Sequence, residues 1–353
     1  MLVDLRSDTV TQPSAAMLRA MSDASLRDNA RDGDPTVASL EEKAAGLTGK
    51  DAGLFVPSGT MGNIATILTR TRSGDRIVVE SRAHIYRSEH GGYAELARVE
   101  PIPIEGESGA PPAAEVKRSL DAECGGSIRL VCLETTHNAY GGVVASLAEM
   151  EHIYREASSG GVSVHLDGAR VFNASVHLGC PVAAITKHAD SVVFSLSKGL
   201  GAPVGSLLCG SREFISAARQ RVKMLGGAMR QIGPLAAAGL IALEDPFEFL
   251  ENDHRTARRL AECMAALDPL AVEPASVVTN IVNIDLADRV DAGAFEARLR
   301  ERGVLIGRRS NGLFRLVTHR DIGEAGIDHA IRSLEAVWAE TGNSRSASLR
   351  GVH

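Results

Sequence analysis

The sequence predicts an α/β fold with a mostly parallel sheet in a large domain, followed by a small α+β C-terminal domain. Three observations carry that expectation. Between residues 54 and 208, short apolar runs alternate with amphipathic stretches, the order of a βαβ chain. Polar and ionisable residues recur just past the C-terminal ends of those runs, where open parallel sheets bind ligands. Beyond residue 247 the strand-like and helix-like patterns alternate in shorter units, and 353 residues suffice for one large domain and one smaller one. The expected division is residues 1–247 for the large domain including the N-terminal segment, 248–342 for the small domain, and 343–353 as a disordered Ser-rich tail holding Arg345 and Arg350.

Composition narrows the classes. Hydrophobic residues make up 44% and aromatics only 4%, so the core is expected to be aliphatic and rich in alanine. The net charge is −6 with no basic stripe, which argues against nucleic acid or an anionic membrane surface as partner. Cys124, Cys132, Cys180, Cys209 and Cys263 are odd in number and form no CxxC pair, pointing to a reducing compartment and away from zinc or disulfides. Asp4, Arg6 and Asp8 interrupt the N-terminus, so no signal peptide is expected there, and no run reaches the roughly 18 apolar residues of a membrane helix. A soluble cytoplasmic protein is expected.

The elements follow in order. Met1 to Pro13 reads as polar and extended, and a helix is expected from Ala15 to Met21. Arg27 to Thr36 is a charged loop; Pro35 excludes the helical region for Asp34, and Thr36 is the expected cap of a helix ending at Gly49. Leu54-Phe55-Val56 is a strand, Pro57-Ser58-Gly59-Thr60 a turn, and Met61, Ile64, Ile67 and Leu68 the apolar face of a helix. A small-residue turn between strand and helix gathers free N–H groups at a helix N-terminus, an anion site; taken alone, it reads more readily as an ordinary turn capped by Ser58 or Thr60. Ile77–Val79, Ile128–Glu134, Val162–Leu166 and Val192–Leu196 are the next strands, ending respectively near His84, His137, Asp167 and Lys198. Past GGAMRQ a long helix is expected from near Pro246, then a strand over 277–284, a helix over 292–302 stopped by Gly303, a strand over 314–317 and a helix over 327–338.

The chemistry centres on SVVFSLSKGLGAPVGS, residues 191–206. A single lysine, Lys198, stands between two apolar runs among small residues, and desolvated lysines form Schiff bases. Asp167 ends the preceding strand, 31 residues earlier, and is followed by Gly-Ala-Arg170. A lysine for an imine, a carboxylate for a pyridinium nitrogen and an anion-binding turn for a phosphate are what pyridoxal 5'-phosphate asks of a protein. Ser195 and Ser197 are further phosphate candidates. His165, inside a strand pattern, and His90 read as packing or surface residues.

These motifs are recognisable. DLRSDTVTQPS, DGDPTV, SGTMGN, ETTHN, HLDGARVFNA, SLSKGLGAPVGSLL, GGAMRQ and RLVTH, spread over nearly the whole chain, resemble the low-specificity L-threonine aldolases. These belong to the pyridoxal-phosphate-dependent fold-type-I (aspartate aminotransferase-like) enzymes, which also include β-eliminating lyases. The resemblance implies that Lys198 carries the cofactor, that Asp167 holds the pyridine nitrogen, and that Ser58, Gly59 and Thr60 bind the phosphate. It implies Arg170 for the substrate carboxylate or ring oxygen, Ser7 and Arg315 for the substrate carboxylate, and Arg230 for a phosphate, reaching it in a neighbouring subunit of a homodimer or homotetramer. His84 would stack on the ring near the substrate hydroxyl, with His137 close by; His84 is the first candidate base and His137 the second. No metal is expected.

The implied reaction cleaves the Cα–Cβ bond of threonine or a related β-hydroxy-α-amino acid to glycine and an aldehyde. A same-fold lyase for phenylserine, 3-hydroxyaspartate or a β-elimination substrate is the alternative, and a non-catalytic cofactor-binding protein a third. Three positions depart from the pattern: Arg31 where tyrosine is common, Ala228 for glycine and Thr135 for asparagine. Arg31 would favour a substrate with an anionic side chain.

Overall fold

The computed structural model describes residues 1–106, 109–122, 128–287, 289–310 and 312–341. Cys124 and the tail with Arg345 and Arg350 lie outside the described residues. Eleven strands are described: β1 (Val3–Leu5), β2 (Ala52–Val56), β3 (Arg76–Glu80), β4 (Glu100–Ile104), β5 (Ile128–Glu134) and β6 (Ser163–Asp167). β7 (Ser191–Ser195), β8 (Ser206–Gly210), β9 (Ile281–Asp285), β10 (Val304–Arg308) and β11 (Leu313–Val317) complete the set. The chain divides into two compact units, one of Gln12–Pro246 and one of Met1–Thr11 with the chain from Phe247 onward.

The larger unit holds a seven-stranded sheet in the order β2-β8-β7-β6-β5-β3-β4. Its described pairs are parallel except where β8 runs antiparallel to β2 and β7. The central strands are buried on both faces, as strands covered by crossover helices are: every residue of β7 and β8 is buried, and in β5 only Arg129 is exposed. β4, with sequence EPIPI, escapes a reading by hydrophobic run because Pro101 and Pro103 break it; it survives as an edge strand, where missing N–H donors are tolerated.

Two helices of this unit are capped by the residue that precedes them. Pro35–Thr48 is capped by Asp34, not Thr36: Asp34 Oδ1 accepts the N–H groups of Thr36 and Val37 at 2.8 and 3.3 Å. Pro35 occupies the first helical position, so the extended residue before it is the one placed to cap. Gly49 closes the helix in the left-handed region at φ 62°, as expected. Gly59–Arg70 is capped by Ser58, whose Oγ accepts from Met61 N–H at 3.2 Å. It lies so close to the sheet that a Cβ on Gly62 would stand 2.6 Å from Val193 Cγ2.

In the smaller unit β1, β10, β11 and β9 form a four-stranded sheet in that order. The helices Phe247–Leu267, Ala292–Glu301 and Glu324–Thr341 share its core through Leu260, Phe295 and Leu334. Residues 1–247 were expected to stay together, but the first strand pairs with β10, Val3 opposite Val304 and Leu5 opposite Ile306. Val3 and Leu5 alternate toward that core, which is why so short a segment docks there. The strand expected over 277–284 begins only at Ile281, opposite Val317 where β11 ends. Among the described residues no helix is long and apolar enough to cross a membrane.

Candidate active site

The sheet brings the motifs to one end. Asp167 stands opposite Glu134 on one neighbour and Val193 on the other; Ser195 pairs with Ser206, and Ser206 with Val56. The ends of β2, β5, β6 and β7 and the start of β8 therefore meet, with the N-terminus of Gly59–Arg70 beside them: a Cβ on Gly59 would lie 3.7 Å from Ser206 Oγ. Lys198 sits half-buried in the turn between β7 and β8. That turn is tied by Leu196 N–H to Gly205 O and by Ala202 N–H to Leu196 O, both at 2.9 Å, and by Gly201 N–H to Lys198 O at 2.9 Å. Gly205 is required at φ 104°, since any side chain would run into the Phe55 ring.

Asp167 is buried and anchors a polar chain. Its Oδ1 accepts Ala169 N–H at 3.1 Å and its Oδ2 accepts Asn63 Nδ2 at 2.8 Å. The same Asn63 nitrogen donates to Glu89 Oε1 at 2.8 Å, and that oxygen bonds His84 Nδ1 at 2.9 Å. Donor and acceptor atoms of His84, Glu89 and Asp167 all lie within 4.8 Å of one another. Beneath them His165 Nε2 meets Asn63 Oδ1 at 3.0 Å, and His165 Nδ1 meets Ser191 Oγ at 2.9 Å. The Glu89 hydrogen bond leads the causes that raise the His84 pKa, with burial opposing. Burial pushes His165 down to about 4, so it is neutral at ordinary pH.

Glu134 fixes His84 from the other side, accepting its backbone N–H at 2.6 Å and the N–H of Asn138 at 2.8 Å. Burial raises the Glu134 pKa. His137 is fully enclosed: its Nε2 meets Glu80 Oε2 at 2.9 Å, and its ring meets Tyr140 edge-on. Of the two candidate bases, His84 is thus the one joined to Asp167, while His137 belongs to the Glu80–Tyr140 cluster.

The remaining residues divide. Gly59 and Thr60 present first-turn N–H groups, which have no carbonyl within the helix to bind. Ser195 is buried on the same strand end, and Ser58 serves as the cap. Arg170 is buried with Nη1 at 3.5 Å from Asn138 Oδ1. Arg230 is exposed and paired with Asp28 at 2.8 Å; Asp28 Oδ1 also accepts the Arg31 N–H at 3.1 Å, so both arginines belong to a surface loop pair. Ser7 and Arg315 lie in the smaller unit, where Ser7 Oγ accepts Thr9 N–H at 3.2 Å and Arg315 Nη2 donates to Arg6 O at 3.3 Å. Glu89, Asn63 and Glu134 escaped assignment. Two of them carried a signal: a carboxylate ending an apolar strand for Glu134, and a polar residue within the buried run Gly62–Ile67 for Asn63.

This donor set fits pyridoxal phosphate. Asp167 keeps acceptor capacity, since two of a carboxylate's roughly four lone-pair sites are used. The lysine turn and the helix N-terminus meet at the same sheet end, supplying an amine and anion-binding amides. Fold and site together define a pyridoxal-phosphate-dependent enzyme of fold type I.

The comparisons agree. The model of the beta-eliminating lyase family matches residues 4–287, and the chain belongs to that family. It is 40% identical over 337 residues to low-specificity L-threonine aldolase 1 of Arabidopsis thaliana, covering 93% of this chain and 94% of that one. To the low specificity L-threonine aldolase of Escherichia coli (strain K12) it is 39% identical over 326 residues, 91% and 95% of the two chains. The structure of Leishmania major threonine aldolase matches with a TM-score of 0.81 at 18% identity, covering 96% of this chain and 99% of that one, a likeness of fold.

Proposed function

We propose that the chain is a carbon–carbon lyase that cleaves L-threonine, L-allo-threonine and related β-hydroxy-α-amino acids to glycine and an aldehyde. The observation that carries this reading is the placement of His84 within hydrogen-bonding distance of Glu89, itself bridged to Asp167 by one amide. A retro-aldol cleavage needs a proton acceptor for the β-hydroxyl beside the group that stabilises charge at Cα. With Nδ1 turned to Glu89, a neutral imidazole presents Nε2 as its acceptor. The hydroxyl proton passes to Nε2, the O–H pair becomes the carbonyl of the departing aldehyde, and the Cα–Cβ pair stays on the glycine fragment. When bound, pyridoxal phosphate supplies the electron sink for that pair.

Within this proposal Lys198 carries the cofactor, Asp167 holds its ring nitrogen, and Gly59, Thr60, Ser58 and Ser195 receive its phosphate. Arg170 serves the substrate carboxylate or ring oxygen, and His137 organises Glu80. The roles of Ser7, Arg315 and Arg230, and a side-chain preference set by Arg31, rest on motif alone. Cytoplasmic location is supported by the described cysteines being unpaired thiols, and a homodimer or homotetramer by the GGAMRQ motif.

The test is an aldehyde-release assay over threonine, allo-threonine, phenylserine and 3-hydroxyaspartate, with Lys198→Ala as blank. Aldehyde and glycine in equal amounts, lost in the blank, are expected. A keto acid with ammonia would replace the reading by β-elimination, and cofactor absorbance without turnover would make the protein a binder.

A further inference from the structure

We infer that Asn63 is a positioning residue that locks Glu89 against His84 and ties both to Asp167, its own orientation set by His165. This rests on the reading of Asp167 and His84 as the cofactor-facing pair, but its proof does not depend on the reaction. Both carboxylates can only accept, so the Asn63 nitrogen, 2.8 Å from each, must face them. The Asn63 oxygen then faces His165, and only an Nε2–H can satisfy it at 3.0 Å. Neutral His165 therefore carries its proton on Nε2, and its bare Nδ1 accepts the Ser191 hydroxyl at 2.9 Å. Every donor finds an acceptor in one arrangement alone, and a flipped amide would set oxygen against two carboxylates.

That arrangement has a consequence for the base. Asn63, His165, Asp167 and Glu89 are all buried, at 1, 0, 4 and 8% exposure, whereas His84 is partly open. The His84 side chain therefore has the freedom to turn, and what restrains its imidazole is the Glu89 carboxylate. Glu89 in turn is held by the amide that also holds Asp167. Asn63 has no contact with the reacting bond in this scheme; it acts through Glu89.

The test follows imidazole signals by NMR in the full-length protein, with the cofactor and after its removal. In the wild type His165 is expected to stay neutral with its proton on Nε2 from pH 5.5 to 9; a proton on Nδ1, or titration in that range, overturns the inference without any variant. Glu89→Gln should lower the midpoint of His84 titration by about one pH unit. Asn63→Ala should lower it in the same direction by less, and should add nothing in the Glu89→Gln background. A His84 midpoint that is unmoved or raised in Asn63→Ala, or a further fall in the double variant, would show that Asn63 does not act through Glu89. Loss of aldehyde release with these NMR results intact would instead count against the proposed reaction.

Discussion

His84 touches two carboxylates in different ways, and the difference fixes its pH behaviour. Glu134 binds the backbone N–H and so holds the chain; Glu89 binds Nδ1 and so acts on the proton. Because the Glu89 hydrogen bond raises its pKa, His84 is protonated below a midpoint that lies above the ordinary imidazole value of about 6.5. With His84 as the proposed base, only its neutral ring accepts the β-hydroxyl proton, so kcat/KM should fall as pH drops through that raised midpoint. Glu89→Gln should move this acid limb to lower pH and cost about tenfold at the optimum, where ring orientation is lost. A pH–rate profile for threonine cleavage checks both; an acid limb that does not move would take the base away from His84. Lys198, Asp167 and His84 stand out in the sequence because each ends or follows an apolar run. Glu89 does not, and Asn63 shows only as a polar residue within an apolar stretch, its partner Asp167 lying 104 residues away until the chain folds.

At the scale of elements, the helix Gly59–Arg70 does two things at once. Its N-terminus offers amides to an anion, and its buried face delivers Asn63 to Asp167. Both require the close approach at Gly62, where an added Cβ would stand 2.6 Å from Val193 Cγ2 in a fully buried strand. Gly62→Ala should therefore cost about 1–3 kcal/mol of stability despite alanine's better helix propensity, and should also weaken cofactor retention as Asn63 is pushed off the sheet. Chemical denaturation and cofactor release by dialysis would measure the two; a neutral or stabilising outcome would mean the helix can slide without loss. The sequence showed this helix and its sheet by apolar runs and spacing. It hid β4, broken by two prolines, and β1, where only Val3 and Leu5 signal a strand. It also placed a cap on Thr36 that Pro35 assigns to Asp34.

On the scale of the molecule, the N-terminal motif LRSDTVT belongs structurally to the unit formed with the chain after Phe247. Asp8 of that motif is fully buried there and accepts Asn280 Nδ2 at 3.2 Å. Near it Asp253, 1% exposed, has neither carboxylate oxygen hydrogen-bonded to a donor among the described residues. Burial first, and then the charge of Asp8, pushes Asp253 up to about 8, with Arg320 opposing and Asp321 adding to the rise. An aspartate in an unfolded chain titrates near 4. Between those two values the folded unit holds a proton that the unfolded chain has released, so stability declines as pH rises across that window. Asp253→Asn removes the titration while keeping the shape. The variant should therefore match the wild type near pH 4 and exceed its melting temperature by several degrees at pH 8. Melting curves taken at half-unit steps from pH 4.5 to 8.5 would show the two lines diverging. Parallel lines would mean that Asp253 is already ionised when folded and is held by a partner that moves toward it.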